Sequence, residues 1–124
     1  MQNRSSTGLE GERLAEKFLR KNSYKILDRR FRTKMGELDL VARKGKVIVF
    51  VEVRSVSEED FGYIPAESVR FRKIRHLTKV AQQWIQKKKL RNMEYRFDVI
   101  TVDFSCEPPV INHFPAAFEA TLDF

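Results

Sequence analysis

Apolar residues recur along this chain with two periods, one typical of helices and one typical of strands. The helical period predicts one helix from residue 7 or 8 to about 21 and a second from residue 65 or 66 to about 89. Each helix has one apolar stripe to pack against a sheet, and Trp84 is predicted to lie in the core because it falls in the middle of its stripe. The stripes consist of Leu14, Ala15, Phe18 and Leu19 in the first helix and Ile74, Leu77, Ala81, Trp84 and Ile85 in the second.

Strand-like segments fill most of the remaining chain. A loop is predicted at residues 55–65, and a short helix or tail packed on the sheet at 115–124. The order of elements is therefore α-β-β-β-α-β, with a short strand after it. The predicted strands span residues 24–31, 36–42, 47–54, 95–104 and the short 110–114.

Two acids interrupt the most apolar strands. Asp39 and Glu52 lie in a predicted hairpin, and a buried carboxylate is costly unless a partner compensates for it. The register of the hairpin decides whether the two acids meet. A two-residue Lys44-Gly45 turn places Asp39 on the same face as Glu52, one diagonal step away, whereas a three-residue loop places them on opposite faces.

A carboxylate pair followed two residues later by a cation suits Mg²⁺, which prefers hard oxygen ligands and keeps some of its water. Asp39, Glu52 and the backbone carbonyl of Val53 would supply three oxygens, and Arg54 would face a phosphate. The same spacing also fits a different interpretation. Asp39 or Glu37 would then form a cross-strand ion pair with Arg54 on a half-buried sheet.

Four short segments, spread over residues 8–118, carry a resemblance to a known family. The chain resembles the small bacterial YraN-like proteins (UPF0102), whose function is uncharacterised. That group is similar to the restriction-endonuclease-like PD-(D/E)xK nucleases, archaeal Holliday-junction resolvases in particular. The segments are Gly11-Glu12, Gly36-Glu37-Leu38-Asp39-Leu40, Phe50-Val51-Glu52-Val53-Arg54 and Arg96-Phe97-Asp98-Val99.

The resemblance implies a restriction-endonuclease-like α/β sandwich, with a mixed central sheet of four or five strands flanked by helices. It makes Asp39 and Glu52 ligands of Mg²⁺ or Mn²⁺ and Glu12 the acid that a helix brings to the site. Arg54 stands where the nuclease pattern has a lysine. Arginine keeps its proton and is shaped for bidentate phosphate binding, so Arg54 is suited to stabilising charge and unsuited to accepting a proton.

Two functions follow. One is a Mg²⁺-dependent endonuclease acting on structured, branched DNA, and the other is a catalytically inactive nucleic-acid-binding protein of the same fold. The net charge of +7 agrees with a nucleic-acid partner, and residues 70–96 carry ten Lys or Arg and one acid. These cations also fit a solvated helix face or a surface for an acidic protein. The residues predicted to bind substrate are Arg70, Arg72, Lys73, Arg75 and Lys79, of which Lys73 matches a lysine of the family pattern.

Length and composition bear on the number of domains, on disulfide and zinc sites, and on the location of the protein. The 124 residues are enough for a single domain, with residues 1–7 expected to be flexible and the loop at 55–65 beside the site. The single Cys106 excludes an intramolecular disulfide, and His76 and His113 have no zinc spacing. Without an apolar run for a membrane span, the protein is predicted to be cytoplasmic. By analogy with junction-cutting enzymes, it is a possible homodimer.

Overall fold

The computed structural model describes residues 6–56 and 71–119 and contains one five-stranded sheet with two helices. The strand order is β1-β2-β3-β4-β5, and only β3 and β4 are parallel neighbours. This mixed sheet between two helices confirms the predicted α/β sandwich. The elements are α1 (Ser6–Lys21), β1 (Lys25–Thr33), β2 (Gly36–Lys44), β3 (Val47–Val56), α2 (Phe71–Lys88), β4 (Glu94–Asp103) and β5 (Val110–Phe118).

The helices cover opposite faces of the sheet because successive strand residues point to opposite sides. A parallel pair needs a crossover connection, and α2 lies within the one that joins β3 to β4. Trp84 lies in the core as predicted, and its Nε1 donates a hydrogen bond to Asp28 at 3.2 Å. The α1 layer contains Ala15, Leu19, Leu40, Ala42, Val49, Val51, Ile100 and Val102, and the α2 layer contains Leu38, Val41, Ile48, Phe50, Leu77, Val80, Ala81, Trp84, Ile85, Phe97 and Val99.

The end of the chain differs from its prediction. Residues 115–118 were expected in a short helix or tail, but β5 continues through them to Phe118. Pro115 and the positive φ of 51° at Ala116 are unusual for a strand. The irregularity is held in place because the Ala116 N–H donates to the side chain of Asp98, 2.9 Å away. This contact comes from a different strand, so the local pattern did not contain it.

Three parts of the prediction lie outside the described residues. They are the start of the second helix at 65 or 66, the loop at 55–65 beyond Val56, and the terminal residues 1–5 and 120–124. Within the described ranges, neither helix is both long and apolar enough to cross a bilayer. The predicted location in the cytoplasm and the homodimer stay predictions.

A buried carboxylate joins β4 to β5 and to the segment that follows α1. Asp98 is fully buried and accepts two hydrogen bonds from Arg96, at 2.8 and 2.9 Å, and one contact from His113 Nε2 at 2.6 Å. Arg96 also donates to the Tyr24 hydroxyl at 3.0 Å. Burial raises the pKa of Asp98, but the hydrogen bonds from His113, Arg96 and Ala116 outweigh burial and hold it below its ordinary value.

Asp98→Asn is expected to lower the free energy of unfolding by about 3 kcal/mol at neutral pH, because it breaks a buried ion pair and turns an amide donor toward other donors. A lowered folded-state pKa stabilises the protein above the unfolded value near 3.8, and this stability is lost as the pH falls through the folded value. The gap between wild type and variant should therefore narrow below about pH 4. Urea denaturation from pH 5 to pH 3 measures the gap, and a gap that widens with acid would contradict the assignment.

Candidate functional site

The β2–β3 hairpin brings Asp39 close to Glu52. Its two-residue turn is Gly45-Lys46, and the cross-strand partners nearest to the acids are Leu40 and Val51. The next residues along the two strands are Asp39 and Glu52, and the negative charge of Asp39 raises the pKa of Glu52, so the two acids are neighbours. The predicted turn began one residue too early, so the predicted register, which had set the acids on a diagonal, was wrong. The shared face of the two acids stays a prediction.

The regular strand pattern breaks at Asp39. Leu38 packs in the α2 layer and Leu40 in the α1 layer, although residues two apart in a regular strand share a face. Asp39 Oδ2 accepts a hydrogen bond from the Val53 N–H at 2.9 Å, so a side chain takes the place of a backbone partner. The N–H and C=O of a strand residue point to the same side, and the Val53 carbonyl therefore faces the Asp39 side of β3.

Glu52 is 6% exposed and has two cations beside it. The Lys73 ammonium contacts Oε2, and Arg54 Nη1 lies 3.7 Å from the same oxygen. Burial raises the pKa of Glu52, the negative charge of Asp39 raises it further, and Lys73 and Arg54 offset only part of the increase. Glu52 therefore ionises less readily than an ordinary carboxyl group, and the charge of Asp39 adds to the effect of burial.

Glu12 reaches the site end of the sheet from α1, on the face opposite to α2. A Cβ at the neighbouring Gly11 would lie only 2.7 Å from Ser55 Oγ, so glycine allows α1 to approach the end of β3 closely. Glu12 is 9% exposed, and its Oε1 lies 3.6 Å from Arg30 Nε. Arg30 has a positive φ of 47°, which is unusual for a residue with a side chain.

These residues lie within a region shared with many bacterial proteins. The model of the uncharacterised protein family UPF0102 matches residues 11–102, most of the chain. The chain belongs to this family. Among similar proteins, the UPF0102 protein of Geobacter metallireducens is 45% identical over 114 residues, covering 92% of this chain and 93% of the relative.

Two further relatives are similar over most of their length. The UPF0102 protein of Caldicellulosiruptor saccharolyticus is 43% identical over 110 residues, covering 89% of this chain and 92% of the relative. The UPF0102 protein of Dictyoglomus turgidum is 36% identical over 118 residues, covering 94% and 99%. The matched residues of this UPF0102 protein include both carboxylates, both cations and Glu12.

Two of the other cations predicted to bind substrate have described side chains, and they lie on a different side of α2 from Lys73. Arg75 and Lys79 are exposed about one helical turn apart on α2, about 200° and about 240° around the helix from Lys73. Arg72 belongs to α2 but its side chain is not described, and Arg70 lies outside the described residues. Of this predicted set, Lys73 is the residue that the described structure brings to the carboxylates.

Sequence reasoning did not find Arg30, which pairs with Glu12. It lies in a strand that contains other arginines, and its positive φ cannot be predicted from the fact that the residue is an arginine. Two contacts bear on the residues of the alternative ion-pair interpretation, which stays a prediction. Glu37 pairs with Arg32 at 2.7 Å, and Arg54 lies beside Glu52.

The donor set fits a small hard cation. Within residues 6–56 and 71–119, no three carboxylate, histidine or cysteine side chains gather into a metal-binding cluster. Mg²⁺ does not need such a cluster, because it is commonly held by one or two carboxylates, waters and a substrate phosphate. Asp39, Glu52 and the Val53 carbonyl provide oxygens of the right kind, and the raised pKa of Glu52 agrees with a site that attracts positive charge.

Proposed function

We propose that this UPF0102 protein is a Mg²⁺-dependent endonuclease that acts on structured, branched DNA. The observation that carries the proposal is that one hairpin holds two buried acids, with Asp39 bonded to the Val53 N–H next to Glu52 and two cations on Glu52. A purely structural ion pair would need one acid and one base. Here the pKa of Glu52 is raised by burial and by Asp39, which is a cost to the fold that a catalytic site would explain.

Each residue of the site would have its own role in phosphodiester hydrolysis. A Mg²⁺ ion held by Asp39, Glu52 and the Val53 carbonyl would activate water and neutralise charge on the phosphate. Arg54 and Lys73 place positive charge where the phosphate oxygens become more negative in the transition state. Glu12 is held by Arg30 and would orient a water molecule from the opposite face of the sheet.

Lys73 could replace the lysine that the nuclease pattern has at the position of Arg54. Arg54 stands in the strand position of the usual lysine, but Lys73 brings an ammonium group from α2 to the same carboxylate oxygen. Lysine is the more compact donor, and the planar guanidinium of Arg54 is better suited to binding phosphate oxygens. We therefore assign to Lys73 the part that the pattern gives to the strand lysine.

The second candidate function is nucleic-acid binding without cleavage. The observation that favours it is Arg54 itself, because a guanidinium retains its proton and replaces a lysine at the expected position. In this case the acids would hold a metal or an ion pair for structural reasons alone. Cleavage of four-way junctions, flaps and linear duplex in the presence of Mn²⁺ separates the two functions.

Metal binding provides a test that does not depend on turnover. Asp39→Asn is expected to weaken Mn²⁺ binding at least about tenfold, since it removes one of two charged ligands. Isothermal titration calorimetry on both proteins measures the change. Glu94→Gln is the matched control because Glu94 is an exposed acid at the other end of the sheet, and it should bind Mn²⁺ as wild type does. Equal affinity in Asp39→Asn and wild type would rule out this metal site.

A further inference from the structure

Positive charge also gathers at the end of the sheet farthest from the carboxylates. Lys25 pairs with Arg43, the turn follows Lys44, and the backbone of Lys46 accepts a hydrogen bond from the Glu94 N–H at 2.7 Å. Lys21 ends α1 just before β1, and Arg91 lies just before β4. All six side chains are exposed. We name this group the hairpin end: Lys21, Lys25, Arg43, Lys44, Lys46 and Arg91.

The charge of the hairpin end is not compensated by acids among the described residues. Arginines of α1, β1, β3 and β4 form ion pairs with carboxylates. By contrast, Arg43 donates to the Gly45 carbonyl at 2.9 Å, and the Lys44 ammonium lies 5.1 Å from the centre of the Tyr24 ring. The nearby acid in this part of the described chain is Glu94. Six cations beside one acid create a local positive potential that attracts polyanions.

The observations favour a nucleic-acid backbone over a lipid surface. A peripheral membrane site needs apolar side chains that insert beside the charges. The exposed large apolar side chains of the described residues are Leu9, Leu90 and Val110, and of these Leu90 adjoins the hairpin end in sequence. One leucine is a poor anchor. The cations instead follow neighbouring strands, which lie about 4.8 Å apart and form a row that a sugar-phosphate chain can follow.

We infer that the hairpin end is a second phosphate-binding surface, which holds nucleic acid away from the bond that is cut. The inference rests on the nucleic-acid function proposed above but concerns different residues. Val47 and Glu52 are five residues apart along β3, so the two surfaces are separated by about 17 Å. A substrate that reaches both must extend about five nucleotides beyond the scissile bond or present a second arm.

A charge-matched pair of double variants tests this surface. Lys46→Gln with Arg91→Gln removes two cations from the hairpin end, and Arg13→Gln with Lys17→Gln removes two exposed cations from α1 as the control. Binding of a fluorescein-labelled 30-bp duplex is followed by anisotropy from 50 to 300 mM KCl. The hairpin-end variant should reduce the slope of log affinity against log salt by roughly 2, about 0.9 per lost contact, and the control should keep the wild-type slope.

Other results of these experiments would contradict either the second phosphate-binding surface or the nuclease proposal, and the two cases can be told apart. An unchanged slope in the hairpin-end variant, or an equal loss in both variants, would overturn the second surface. If binding to vesicles containing phosphatidylglycerol depends on Lys46 and Arg91 while binding to DNA does not, the surface has a membrane role and the inference is overturned. If no protein cleaves DNA, the nuclease proposal fails but the anisotropy comparison still decides the surface. If cleavage occurs, the hairpin-end variant should raise KM and leave kcat unchanged.

Discussion

Lys73→Met is expected to lower the rate of metal-dependent DNA cleavage about 100-fold, the usual cost of removing one group that stabilises transition-state charge. The Lys73 ammonium contacts Glu52 Oε2, whereas Arg54 lies 3.7 Å from that oxygen and has a planar group that does not replace a compact ammonium. The loss should appear in kcat at saturating DNA, because the affinity of the protein for DNA draws on many other cations.

Lys87→Met is the matched control for this experiment. Lys87 is exposed on the same helix, and its ammonium lies 5.6 Å from the centre of the Phe31 ring, away from Glu52. Its replacement makes the same change in charge and should alter kcat less than about twofold. Wild-type turnover in Lys73→Met, together with loss of turnover in Arg54→Gln, would transfer the role to Arg54 and contradict the assignment.

Glu52→Gln should abolish cleavage, by a factor of about 1000 or more, and at the same time stabilise the metal-free protein at neutral pH. The pKa of Glu52 is raised above its ordinary value of 4.5, chiefly by burial and then by Asp39. A carboxyl group with a raised folded-state pKa costs stability as the pH rises above the unfolded value, since it ionises more readily in the unfolded chain. A neutral glutamine does not have this cost.

The stability of Glu52→Gln should therefore exceed that of wild type by a margin that is small near pH 4.5 and grows as the pH rises through the folded-state pKa of Glu52. Thermal unfolding in EDTA over this range measures the margin, and nicking of four-way junctions, flaps and linear duplex measures activity. Glu94→Gln, which changes an exposed acid beside the hairpin end, should alter neither the stability nor kcat at saturating DNA. A variant less stable than wild type at every pH would show that Glu52 has a structural role.

Much of the fold could be predicted from the sequence because the apolar periods of α1, β2, β3 and β4 are strong. The position of the hairpin turn was less accessible. Gly45 has a positive φ of 60°, and glycine meets that need at either central position of a two-residue turn, so the residue type does not decide between the two registers. The extension of β5 depends on Asp98 holding the Ala116 N–H, a contact between strands that local patterns do not record.

The candidate site was likewise predictable from the sequence only in part. Acids in apolar strands drew attention to Asp39 and Glu52, since a buried carboxylate needs a partner. The contact of Lys73 with Glu52 depends on where α2 crosses the sheet, which the helical period of α2 does not determine. The pairing of Arg30 with Glu12 depends on a left-handed backbone in β1, for which an arginine gives no warning.

The parallel pairing of β3 with β4 has a consequence for how the site is assembled during folding. Residues 6–56 form a helix and a meander from neighbouring segments, and they contain both carboxylates and Arg54. Lys73 arrives only when α2 crosses the sheet and β4 pairs beside β3, which requires closure of a longer loop and is therefore slower. The meander is thus expected to form while Glu52 is still hydrated and has only Arg54 beside it, and the crossover then removes its water and adds the charge of Lys73 in one late step.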